Sequence, residues 1–121
     1  MKTHPTAVEF AFLKALWRDR RLSARELHDA TESVTRWSYS STRKTLDRML
    51  DKGLVAVSEV HGVRVYRAKV QKLSTVAAMW RDFAGRVLGG APAAPMAHFA
   101  ENDFLSSDEI AELKRMLESE D

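Results

Sequence analysis

Ser41, Lys44 and Arg48 stand three and four residues apart in a stretch with helical periodicity, so at about 100° per residue they share one face. Thr42, Leu46, Met49 and Leu50 turn to the other side and are expected to pack on neighbouring helices. A face carrying a hydroxyl, an ammonium and a guanidinium suits the major groove of duplex DNA. Lysine and arginine donate to guanine O6 and N7, and serine donates or accepts. Ser40 and Ser41 stand at the start of this helix, where either hydroxyl can cap it, and both count among the DNA-facing residues. Arg43 flanks the core face and is placed to reach a phosphate. Arg64 and Arg67 lie in a valine-rich hairpin and are expected to meet the DNA backbone. Arg18, Arg20, Arg21 and Arg25 crowd the junction of the first two helices, some along the backbone and some simply solvated. Asp47 and Asp51 dilute the positive field, so the helix alone does not separate DNA binding from an ordinary charged surface. The surrounding architecture does.

The other chemistry-bearing residues point away from catalysis. His4, His28, His61 and His98 are scattered without metal-ligand spacing, and the chain has no cysteine, so neither a disulfide nor a thiolate metal site is possible. No phosphate-binding loop, dinucleotide fingerprint or nucleophile elbow occurs. Most carboxylates fall in capping boxes or on charged helical faces. No enzyme, cofactor or metal is expected. Trp17 and Trp80 sit in helical apolar stripes and are read as core, Trp37 as a buttress for the start of the third helix, and His61 as a turn residue.

The elements that position these groups follow from period and punctuation. Thr6-Ala7-Val8-Glu9 is a capping box opening a first helix with Phe10, Phe12, Leu13, Leu16 and Trp17 on its apolar face, ending in the charged run 18–21. Ser23-Ala24-Arg25-Glu26 opens a second, short helix expected to end around Thr31 to Ser33. The third runs through Leu46, Met49 and Leu50 to Lys52, with Gly53 as its left-handed cap. The period then changes to two. Leu54 to Val60 and Val63 to Val70, joined at His61-Gly62, read as a hairpin with a tight turn. Three helices and a hairpin in residues 1–71 are the order of a winged helix-turn-helix.

From Lys72 the helical period returns with Leu73, Val76, Trp80, Phe83 and Val87 in one apolar stripe. Gly89 to Pro95 breaks it as a linker, and Met96 to Phe99 has room for a turn of helix. A third capping box, Ser106 to Glu109, opens a last helix carrying Ile110, Leu113 and Leu117. The stripe is too apolar for a solvated helix on a small domain, so both helical faces are expected to be buried in a homodimer.

Net charge is only +2, yet its distribution is uneven. Basic residues outnumber acidic ones nearly two to one over 1–72, and the balance inverts over 101–121. That pattern suits a polyanion-binding module joined to a part that stays off the polyanion. No apolar run approaches membrane-spanning length, and 1–5 does not read as a signal peptide. The expectation is a cytoplasmic protein without membrane insertion.

Taken in order, several blocks resemble the penicillinase (β-lactamase) repressors. They are Phe12-Leu13-Lys14-Ala15-Leu16-Trp17, Ser23-Ala24-Arg25-Glu26-Leu27, Trp37-Ser38-Tyr39-Ser40-Ser41-Thr42 and Leu46 to Leu54. Tyr66 in the hairpin, and Leu88-Gly89-Gly90, His98-Phe99 and Leu105 to Leu117 in the tail, extend the likeness over nearly the whole chain. The resemblance implies a homodimer joined through its C-terminal helices and bound to an inverted-repeat operator of duplex DNA. It also implies relief of repression when a membrane sensor-protease system, triggered by β-lactam, leads to cleavage in the C-terminal part. The corresponding point here is His98-Phe99, where the family's asparagine is replaced by His98. Lys44 replaces a common threonine. The absence of cysteine argues against the copper-responsive branch.

The expected fold is thus mainly α with a small β-hairpin: a winged helix over 1–71, then a helical dimerisation region over 72–121. The expected function is transcriptional repression of resistance-type or related genes. The competing reading is a winged helix used as a protein-interaction module.

Overall fold

The computed structural model describes residues 5–83 and 104–118. The chain divides into two compact units, Met1–Gln71 and Lys72–Asp121.

In the first unit the order is α1 (Ala7–Asp19), β1 (Leu22–Ser23), α2 (Ala24–Thr35), α3 (Tyr39–Lys52), β2 (Val55–Val60) and β3 (Val63–Ala68). Local sequence sets most boundaries. Thr6 accepts from the Glu9 N–H while the Glu9 carboxylate accepts from the Thr6 N–H, and Ser23 and Glu26 repeat the exchange at α2. Gly53, at φ +78°, ends α3 in the left-handed region expected of it. In the hairpin His61 and Gly62 both take positive φ, +52° and +80°, the geometry of a two-residue turn whose twist matches its strands.

Some boundaries differ from expectation: β2 begins at Val55 rather than Leu54, and β3 ends at Ala68, two residues short of Val70. Ser38, not Ser40 or Ser41, caps α3, accepting the Ser41 N–H at 3.2 Å. Helix α2 runs on to Thr35 and stops where Arg36 adopts φ +56°, because exposed polar residues such as Glu32 and Ser33 do not themselves terminate a helix. Strand β1 was not foreseen. Its two residues pair antiparallel with β3, Leu22 with Tyr66 and Ser23 with Val65, giving a three-stranded sheet ordered β1-β3-β2.

The core forms where the apolar faces of the three helices meet the sheet: Phe12, Leu13, Leu16, Leu27, Leu46, Met49, Leu54, Val55 and Tyr66 are all buried. Trp17 is half-buried against this cluster and donates its indole N–H to the Val70 carbonyl at 3.0 Å, tying α1 to the segment after β3. Trp37 stands edge-on to Phe12, with centroids 6.5 Å apart. The architecture is a winged helix, mainly α with a small antiparallel sheet.

The second unit contains α4 (Lys72–Phe83) and α5 (Ser107–Glu118), which pack together. Ser106 and Glu109 make the third reciprocal capping box. The Lys72 ammonium donates to the Phe104 carbonyl at 2.6 Å and to Glu109 Oε1 at 3.2 Å, joining the start of α4 to the start of α5. Val76, Leu113 and Leu117 are 4%, 0% and 2% exposed in the single chain, while Leu73, Trp80 and Ile110 are half-buried. Burial of the first three therefore does not itself require a second subunit. Val87, the linker 89–95, the turn 96–99 and the His98-Phe99 pair lie outside the described residues, as does the Phe83 side chain. No helix among the described residues is long and apolar enough to cross a membrane.

Candidate nucleic-acid interface

Helix α3 has a core side and a solvent side. Thr42, Thr45, Leu46 and Met49 are buried; Ser40, Arg43, Lys44 and Arg48 are exposed, and Ser41 is half-buried. Leu50, expected on the core side, is half-buried, and Thr45 takes the fourth buried place. The Ser40 and Ser41 hydroxyls both lie 3.1 Å from Ser38 Oγ, so the helix begins in a cluster of three hydroxyls. Arg48 donates through Nη2 to Thr45 Oγ1 at 3.2 Å, which leaves its remaining donors for another partner.

Two polar ties fix the angle of this helix. His28 on α2 and Thr42 on α3, both buried, meet through Nδ1 and Oγ1 at 2.9 Å. At the far end, the Lys52 ammonium lies 2.9 Å from both carboxylate oxygens of Glu9, itself only 3% exposed. Burial pushes the Glu9 carboxyl up, but hydrogen bonds from Lys52 and Thr6 together with the Lys52 charge outweigh it and hold the group below its ordinary value. Sequence reasoning placed Glu9 only in a capping box and missed its second role.

On the wing, Arg64 and Arg67 are exposed in β3. An open groove of about 350 Å³ lies between the wing and the starts of α2 and α3, lined among others by Arg25, Tyr39, Arg43 and Arg64. The Arg25 guanidinium lies 4.0 Å from the Tyr39 ring centroid, and His28 meets the same ring edge-on. The sequence offered Arg25 only as one of a crowd, and Tyr39 only as part of a block of resemblance. The structure thus gathers Ser40, Ser41, Arg43, Lys44 and Arg48 on one helix and brings Arg43 and Arg64 to one groove. Arg67 does not line that groove.

For metals, His28, Asp29 and Glu32 bring a ring nitrogen and two carboxylate oxygens within 4.8 Å of one another. The two carboxylates are exposed on α2, the ordinary state of a solvated helix face, and His28 is engaged with Thr42.

A three-helix core, a wing and an exposed basic helix face define a DNA-binding regulator of the winged-helix class. Residues 5–119 match the model of the penicillinase repressor family, and the chain belongs to that family, whose members are transcriptional regulators rather than enzymes. It is 26% identical over 110 residues to the penicillinase repressor of Bacillus licheniformis, covering 91% of this chain and 86% of that protein. It is 23% identical over 112 residues to the methicillin resistance regulatory protein MecI of Staphylococcus aureus, covering 93% and 91%. Among solved structures, the reduced form of MarR from E. coli aligns over 94% of this chain and 76% of its own at a TM-score of 0.46 and 19% identity.

Proposed function

We propose that this regulator is a cytoplasmic repressor that binds an inverted-repeat operator as a homodimer and blocks transcription by occupying the promoter. The observation that carries the reading is the division of α3: four buried residues anchor it while Ser40, Arg43, Lys44 and Arg48 stand out from it. Lys44 and Arg48 read base edges, Ser40 and Ser41 contact the duplex where the helix begins, and Arg43, Arg64 and Arg67 hold phosphates.

The second unit carries the dimer contact. Val76, Leu113 and Leu117 form its interior, and Leu73, Trp80 and Ile110, half-buried in the single chain, supply apolar surface to the partner. Phe83 and Val87 continue the sequence periodicity of Leu73 and Trp80 and are assigned to the same contact on that ground. Two half-sites then add their binding free energies. Release follows cleavage near His98-Phe99 by a protease under a membrane sensor. Resistance-type genes are the targets this reading implies, in line with the names of the two relatives.

The test is an electrophoretic shift of DNA upstream of the gene and its neighbours. A discrete complex that survives competitor DNA and protects an inverted repeat supports the reading. Binding that does not distinguish upstream DNA from competitor defeats it and favours a protein-interaction module.

A further inference from the structure

Three guanidiniums converge where the wing meets the helices. Arg25 leaves the first turn of α2, Arg43 the second turn of α3 and Arg64 the start of β3; all are exposed, and all line the groove of about 350 Å³. Among the described residues no carboxylate lies within 4.0 Å of any of the three. Elsewhere in the chain cations do find carboxylates: Arg18 on Asp19, Lys52 on Glu9 and Lys72 on Glu109. A cluster of like charges without a counter-ion carries a repulsive cost that an incoming anion removes.

The groove is also shaped for one kind of anion. The Arg25 guanidinium carbon lies over the Tyr39 ring, 4.0 Å from its centroid, a cation–π contact. That contact holds the side chain, and among the described residues its guanidinium donors make no hydrogen bond or ion pair, which leaves them for an acceptor. Tyr39 is itself braced by His28, edge-on at 5.6 Å. The groove is open rather than enclosed, which admits a continuous chain passing through. Arg43 and Arg64 approach it from the reading helix and from the wing respectively.

We propose that this groove is a seat for a phosphodiester of duplex DNA, with Arg25, held on Tyr39, as a contact residue beyond those on α3 and the wing. The inference rests on the DNA-binding reading given above and adds a specific site to it. Arg43 and Arg64 meet the same stretch of backbone, so one phosphate segment sets the position of α3 relative to the wing. Contacts of this kind position the protein without reading sequence.

The experiment measures binding of the full-length chain to upstream and random duplexes by fluorescence anisotropy over a series of KCl concentrations. Arg25→Ala weakens binding to both duplexes by the same factor, about 10-fold, and reduces the slope of log K against log salt by about 0.9. Tyr39→Leu, which removes the aromatic ring, moves both quantities the same way, and Tyr39→Phe loses less than Tyr39→Leu. Arg25 is exposed, so its variants fold; circular dichroism checks this. Unchanged affinity and slope in folded Arg25→Ala, with operator preference lost in Lys44→Ala/Arg48→Ala, overturns the seat and leaves the reading of α3 standing. A native chain that binds no duplex overturns both. Saturable binding of pyrophosphate by native but not Arg25→Ala protein, at concentrations that leave DNA binding intact, reassigns the groove to a free anion and overturns the proposal.

Discussion

Lys52 and Glu9, 43 residues apart in the chain, meet with the ammonium nitrogen 2.9 Å from both carboxylate oxygens, so the end of α3 is bolted to the beginning of α1. Glu9 simultaneously accepts the Thr6 N–H at 2.9 Å. One carboxylate therefore caps α1 and anchors α3. Removing Lys52 leaves a nearly buried acid with its cap alone, and Lys52→Met is expected to destabilise the first unit by about 1.5–3 kcal/mol in urea unfolding.

The same pair makes stability depend on acid. The folded carboxyl of Glu9 lies below its ordinary value of 4.5, so the unfolded chain binds the proton first as pH falls. Its contribution is complete above about pH 5 and is lost as pH drops through the folded value. Glu9→Gln should remove this component, giving an unfolding midpoint that falls less steeply than the native chain's as pH drops below the ordinary value of 4.5. An equally steep midpoint in the variant would assign the acid dependence to other carboxylates.

At the other end of α3, Thr42→Val deprives the buried His28 ring nitrogen of its partner at nearly constant volume. The cost is about 1–3 kcal/mol, the penalty for an unsatisfied buried polar group. Because the His28–Thr42 contact joins α2 to α3, operator affinity should fall further than the population of unfolded chain explains. Denaturant midpoints and anisotropy on the same samples decide this.

Readout should divide between Lys44 and Arg48. A bidentate guanine contact by Arg48 is worth about 1–3 kcal/mol of discrimination, so Arg48→Ala relaxes preference at one position per half-site. Selection from randomised half-sites reveals the position. Equal loss on every sequence would place Arg48 on a phosphate instead.

The turn offers a stabilising change. His61 holds φ +52° without glycine's freedom, and asparagine is preferred at the first position of this turn. His61→Asn should raise the unfolding free energy by about 0.5 kcal/mol, whereas Gly62→Val, at φ +80°, should lower it. Thermal melts of the two variants measure both signs.

For the dimer, sedimentation of the native chain should give twice the protomer mass, and Trp80→Ala should shift the equilibrium towards monomer. A chain ending at His98 lacks α5, the helix packed against α4, and with it the buried Leu113 and Leu117. Such a fragment should fail to dimerise and should lose operator affinity. If it binds as tightly as the whole chain, cleavage there cannot relieve repression.

Local chemistry was legible without any structure. Capping boxes close over three residues, a left-handed cap over one, and a hairpin turn over two, so Thr6/Glu9, Ser23/Glu26, Ser106/Glu109, Gly53 and His61-Gly62 declare themselves in the sequence. The helical period likewise sorted Lys44 and Arg48 from Leu46 and Met49, because burial of one face requires that spacing. What tertiary structure alone decided are meetings between residues distant in the chain. Glu9 with Lys52, His28 with Thr42, Arg25 with Tyr39, and β1 with β3 join separate elements through contacts that leave no periodic trace in either partner. Even Ser38's choice over Ser40 and Ser41 belongs here: three nearby serines offer the same hydroxyl, and packing of the helix that follows determines which one stands at its end.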